Sequence, residues 1–112
     1  MVEKTIIRHL NSCLPVRAYM ERPKQAPSEY ILIERTGSSH HNRVGTATLA
    51  VRAVSTSLAK AADLLEKVES AMEAMPHDAE IRGVKLISDY NNTNTVLDIY
   101  RYQAVYEIYY NE

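Results

Sequence analysis

Residues 55–76 read STSLAKAADLLEKVESAMEAMP, and their apolar side chains fall at Leu58, Ala61, Leu65, Val68, Met72 and Met75. Steps of three and four place these residues on one stripe of an α-helix. Lys60, Asp63, Lys67, Ser70 and Glu73 lie off the stripe and form the wet face. Asp63 and Lys67 are four apart in the favourable order, worth ~0.3 kcal/mol. Ser55, Thr56 and Ser57 each offer an N-cap hydroxyl, and Pro76 and Gly83 bracket the stop. A helix with one apolar stripe needs a surface to lie on. Its heptad-like spacing lasts too briefly for a coiled coil, so the expected partner is a sheet.

The flanking segments supply that sheet. Upstream, Thr46–Ser55 alternates, with Leu49, Val51 and Ala53 on one face, and runs directly into the helix. Before it, Glu29–Thr36 is a strand with Ile31, Ile33 and Arg35 on one side and Tyr30, Leu32 and Glu34 on the other. Between these two, Gly37–Gly45 (GSSHHNRVG) is polar and bounded by glycines, and is expected to be a long exposed loop. Val16–Met20 reads as a short strand, and Glu21–Ser28, with two prolines, as a connection. Ile6, Ile7, Leu10 and Leu14 have helical spacing, which predicts a short first helix over residues 3–13 ended by Leu14-Pro15.

Downstream, Gly83–Tyr90 alternates, Asn91–Thr95 is a turn, and a long last strand runs from Asp98 to Tyr110. Tyr100, Tyr102, Ala104, Tyr106, Ile108 and Tyr110 share one of its faces; Arg101, Gln103, Val105, Glu107 and Tyr109 share the other. One covered face is the mark of an antiparallel sheet. The predicted fold is therefore α+β: a mostly antiparallel sheet of four to five strands, packed by one long amphipathic helix plus a short N-terminal helix, in the order α-β-β-β-α-β-β. The 112 residues make a single domain.

Composition excludes several function classes. The formal net charge is -1 with acids and bases interspersed, which argues against a nucleic-acid-binding patch and hence against sequence-specific nucleic-acid recognition. With one cysteine, neither an internal disulfide nor a cysteine zinc site can form. No apolar run approaches the ~20 residues that span a bilayer, and MVEKTIIRHLNS has no signal-peptide core. No membrane partner and a reducing, cytoplasmic setting are expected. Cys13 reads as a small core residue.

No catalytic constellation emerges. His40-His41 catches the eye, but adjacent residues in a strand point to opposite faces, and His9 and His77 lie at no ligand spacing. The pairs Asp98 with Glu107 and Asp89 with Glu34 have nothing to bring them into one cleft. Ser38 and Ser39 lack a nucleophile-elbow context. Gly37–Gly45 is no phosphate loop, since no Lys follows its second glycine and a strand comes next. The reading is a protein that is not an enzyme, with no cofactor and no metal.

Aromatic usage is lopsided: eight tyrosines, no Trp and no Phe. Tyr100, Tyr102, Tyr106, Tyr109 and Tyr110 crowd the C-terminal strand. Tyrosine suits both cross-strand packing and a subunit interface, and Tyr102, Tyr106 and Tyr110 are candidates for the latter.

Taken together, YILIERTGSSHHNRVGTATLAVRAVS followed by SLAKAADLLEKVESAMEAM resembles the tail-terminator (tail-completion, minor tail) proteins of long-tailed bacteriophages. In that family a strand ending in E-R-T-G leads to a polar segment. A strand of the L-A-V-x-A type then enters an alanine- and leucine-rich helix. GVKLISDYNNTNTVLDIYRYQAVYEIYY fits the family's glycine-led strand, its loop and its final Y-R-Y-x-x-x-Y-E strand. The likeness covers about residues 14–110. Thr48 stands near a position where a proline or acid is expected, and His40-His41 where many relatives are more acidic.

The resemblance implies a structural virion protein with no cofactor, assembled in the bacterial cytoplasm and resident in the virion tail. It would form a ring of its own copies, usually a hexamer, on the finished end of the tail tube. The ring would stop polymerisation of the tail tube protein and present a surface to the head connector or head-closure protein. The Gly37–Gly45 segment, with Arg35, His40, His41 and Arg43, is then expected to touch a neighbouring subunit or the tube. Two other readings stand beside it: a head-closure or head-tail joining (neck) protein, and a small host domain that binds a metabolite between helix and sheet.

Overall fold

A computed structural model describes residues 1–77 and 80–111. Its elements are α1 (Val2–Cys13), β1 (Ala18–Tyr19), β2 (Tyr30–His41), β3 (Val44–Ser55), α2 (Leu58–Glu73), β4 (Ile81–Asn91) and β5 (Tyr100–Asn111). The order is α-β-β-β-α-β-β, and the five strands form one sheet in the order β1-β2-β3-β5-β4. Only β1 and β2 run parallel; every other pair is antiparallel. The fold is α+β.

Helix α2 starts where its cap is best made. Ser57 holds an extended backbone and its side chain accepts from the Lys60 N–H at 3.2 Å, satisfying one of the orphan donors of the first turn. Ala61, Leu64, Leu65, Val68, Ala71 and Met72 are buried, with Met75 just past the end. This stripe is broader than the one read from sequence, and it leaves Leu58 exposed at the rim. It lies across the two middle strands, β3 and β5. There Ala47, Leu49, Val51 and Ala53 from β3 meet Ala104, Tyr106 and Ile108 from β5, all of them buried. Helix α1 adds Val2, Ile6 and Leu10 to the same core over β1 and β2. Its His9 Nε2–H donates to the Ala71 carbonyl of α2 at 2.6 Å, and its buried Glu3 accepts from Arg35 of β2 at 2.7 Å.

Two readings of the sequence need correction. Gly37–Gly45 is not a loop. Strand β2 continues to His41 and β3 begins at Val44, in unbroken register from Gly37↔Thr48 to His41↔Val44. The turn is only Asn42-Arg43, with φ of 49° and 64°. Two left-handed residues match the twist of a hairpin, and Asn accepts that conformation readily. Nor is Cys13 in the core: it is exposed at the end of α1 beside His9, one position short of the half-buried Leu14.

The sheet is regular at its centre and irregular at its margins. Strands β3 and β5 pair without interruption from Val44↔Asn111 to Ser55↔Tyr100. The register shifts fall toward the two edges, at Thr36 of β2, beyond the stretch that β1 covers, and at Arg82 and Ile87 of the edge strand β4.

Candidate functional site

The far face of the sheet, away from the helices, carries one hydrogen-bonded chain across four strands. Register aligns Leu32, Arg52, Gln103 and Tyr90. Arg52 donates to Glu34 of β2 at 2.8 Å and to Gln103 of β5 at 2.6 Å, and Gln103 in turn donates to the Tyr90 hydroxyl of β4. Gln103 is buried by its neighbours rather than by a covering layer. With every member satisfied, the chain is inert scaffolding that ties the strands together.

The two ends of the molecule differ in chemistry. Its extents are 44 × 26 × 25 Å, and the long strands set the long axis. At one end the β2–β3 turn exposes Arg43, for which the described residues offer no ion pair. No acid stands anywhere between Arg35 and Arg52. Arg35 is spent on Glu3. His40 lies opposite Gly45 on the helix side of the sheet, and His41 opposite Val44 on the far side, so the pair does not converge on one ion. At the other end, residues 92–99 carry the chain from β4 to β5. Asn94 accepts from the Val96 and Leu97 N–H groups, each at 3.1 Å, and this turn pushes Val96 (89% exposed) and Leu97 (64%) into solvent.

The tyrosines of β5 take three positions. Tyr106 is 3% exposed and packs in the core. Tyr102 and Tyr110 are half-buried against it. The Tyr110 ring lies against Gly45, where a Cβ would overlap it; this close approach favours a glycine at the second residue of β3.

Between α2 and β4 the sheet is left uncovered, and a groove of about 440 Å³ opens there. Glu69, Met72 and Glu73 form its helix wall, Val84, Lys85 and Leu86 its strand wall, and Tyr106 its floor, with His77 at one end. Glu69 also lines an adjoining recess of about 130 Å³ with Glu66, Asp89 and Tyr102. Asp89 is directed to the helix side because it pairs with Ala104 in register. Glu34 stands on the far face, so Asp89 and Glu34 are on opposite sides of the sheet and cannot act together. Asp98, in the β4–β5 connection, and Glu107, in the far half of β5, lie toward opposite ends.

The groove is electrostatically loaded. Burial pushes the Glu69 carboxyl up to about 7, helped by a hydrogen bond and charge from Asp89 and by Glu66 and Glu73 along the helix. Burial, then the charges of Glu69, Glu73 and Asp89, raise the Tyr106 hydroxyl as well. Three glutamates at spacings of three and four repel one another along a helix. Of these, Glu73 reads as part of a wet face in sequence; only the strand order, which sets β4 beside β5, brings Asp89 across from them. Among the described residues no group of three His, Cys, Asp or Glu side chains is placed to hold a metal. No described helix is long and apolar enough to cross a membrane.

No protein-family model matches the chain, and no curated protein matches it.

Proposed function

We propose that this chain is a structural assembly protein that caps the tail tube of a long-tailed bacteriophage, ends its polymerisation and offers the head its joining surface. The observation that carries the reading is the chemical polarity of the long axis. A cationic two-residue turn projects at one end and an apolar turn, Val96-Leu97, at the other. A subunit that must join its own copies and also meet other partners needs two unlike tips, and in a ring built by head-to-tail contact one tip can join subunits while the other is left on a rim. The order of the E-R-T-G strand, the L-A-V-R-A strand and the alanine-rich helix supports the same reading.

The ring would consist of copies of this chain, with the tail tube protein on one side and the head connector on the other. Electron microscopy of the protein mixed with tube subunits tests it. Tubes of uniform length with a ring at one end are expected. Tubes that grow without limit and carry no ring would refute it. Because residues 37–41 are paired ribbon, charge reversal at Arg43 probes the tip more cleanly than deletion does. Copurification with filled heads rather than with tails would instead assign the chain to the neck.

A further inference from the structure

We propose that the groove between α2 and β4 is the receptor for the β2–β3 turn of a second copy of this chain, with the Arg43 guanidinium seated between Glu69, Glu73 and the Tyr106 hydroxyl. The inference rests on the assembly reading above and names the contact by which one subunit holds the next.

Two independent observations point to a ligand in the groove. The first is charge: Glu66, Glu69 and Glu73 stand on one stripe of α2 with Asp89 across the opening, and the described lining sets only Lys85 and His77 beside them. The second is Tyr106. Its side chain is 3% exposed, and its hydroxyl, which makes no hydrogen bond to the described residues, reaches the solvent-accessible groove floor. A nearly buried phenol usually finds a partner; in the open groove water or a docked group can supply it, and a guanidinium donates to carboxylates and to a phenol oxygen at once.

The occupant follows from shape and charge. The Lys60 and Lys67 side of α2 borders a recess of its own, and a recess does not fill a groove. The β2–β3 turn is convex, narrow and exposed, and the whole segment from Thr36 to Val51 carries no acid. Both residues of the turn are left-handed, and Arg43 is exposed at the tip of the ribbon. Turn and groove lie on different strands of the sheet, β2–β3 against β4. The contact is therefore heterologous: each copy gives a turn to one neighbour and a groove to the other, the arrangement that closes rings.

Cross-linking tests this on the full chain in a Cys13→Ser background. Asn42→Cys in the turn and His77→Cys at the end of the groove, which leave Arg43, Glu69 and Glu73 in place, are combined in one protein, held at millimolar concentration and oxidised with oxidised glutathione. Both positions are exposed, so the fold is retained, and thermal unfolding checks it. The double variant is expected to give a ladder of covalent dimers, trimers and higher species ending in one closed ring. Each single-cysteine variant stops at the dimer. A double variant that also stops at the dimer overturns the proposal. In parallel, Glu73→Arg is expected to weaken self-association at least tenfold by sedimentation, and adding Arg43→Glu in the same chain to restore it; no rescue counts against the pairing. These assays need no tail tube. A ladder from a protein that fails to cap tubes keeps the contact and removes the tail reading, whereas capping by a protein that gives no ladder does the reverse.

Discussion

Replacing Glu69 by Gln provides a direct measurement of the groove's electrostatics. In the unfolded chain this carboxyl titrates at its ordinary 4.5, and in the fold it is pushed up to about 7, first by burial and then by Asp89, Glu66 and Glu73. Between these values the folded protein holds a proton that the unfolded chain has released. Stability therefore falls as pH rises through this window, and the loss is complete above about pH 7. For a dry site the full difference amounts to roughly 3 kcal/mol. Glu69 is only partly buried, so solvent screening reduces the expected effect to about 1 kcal/mol. In a domain of this size that corresponds to a melting shift of about 4 °C. Glutamine keeps the shape and never ionises. Melting temperatures of the two proteins should nearly coincide at pH 4.5, separate as pH rises, and differ by the full amount at pH 8, the variant being the more stable. Parallel curves, or a gap that widens toward acid, would refute this account of the groove.

Other perturbations test the frame around it. Arg43→Gly places in the second left-handed position of the turn the residue that prefers it, and should stabilise the monomer by about 0.5–1 kcal/mol in urea titration. The same change removes the cation proposed to join two copies, so stability and self-association should move in opposite directions. Leu49→Ala empties a site that is fully buried between β3, β5 and α2, and should cost about 2–5 kcal/mol by chemical denaturation. Gly45→Ala drives a methyl into the Tyr110 ring. The ring is the outer part of a half-buried side chain and can swing away, so a loss of about 1–2 kcal/mol is expected, with a changed Tyr110 environment in NMR spectra.

Periodicity made most of the architecture legible. The helical stripe from Ala61 to Met75 and the alternation of Leu49, Val51 and Ala53 located α2 and β3 on opposite sides of one core, because each pattern can bury its apolar face only against the other. The C-terminal strand was equally plain, since its tyrosines and Ile108 alternate with charged and polar residues. The β2–β3 hairpin was hidden for a local reason: its turn is Asn-Arg rather than Asn-Gly, and Ser38, Ser39, His40 and His41 have no apolar alternation to betray a strand. Cys13 misled because it lies within a turn of Leu10 yet points off the Ile6–Leu10 stripe. The groove was illegible for a topological reason. Glu69 and Glu73 are separated from Asp89 by more than a dozen residues, and nothing in the spacing announces that β4 stands at the flank beyond β5. Tyr106 was singled out from composition, but its place on the groove floor depends on the same strand order.

The three register breaks at Thr36, Arg82 and Ile87 have a consequence for how copies of the protein can meet. A straight outer strand presents an unbroken ladder of amides and invites a neighbour to zip alongside, which is how sheets run on into fibrils. Here both flanks are crimped, so no two of them lie flush along their length, and a crimp also sharpens the local twist. Lateral stacking without end is thereby discouraged, and what remains open to a neighbour is end-on engagement, a geometry that can be counted and closed.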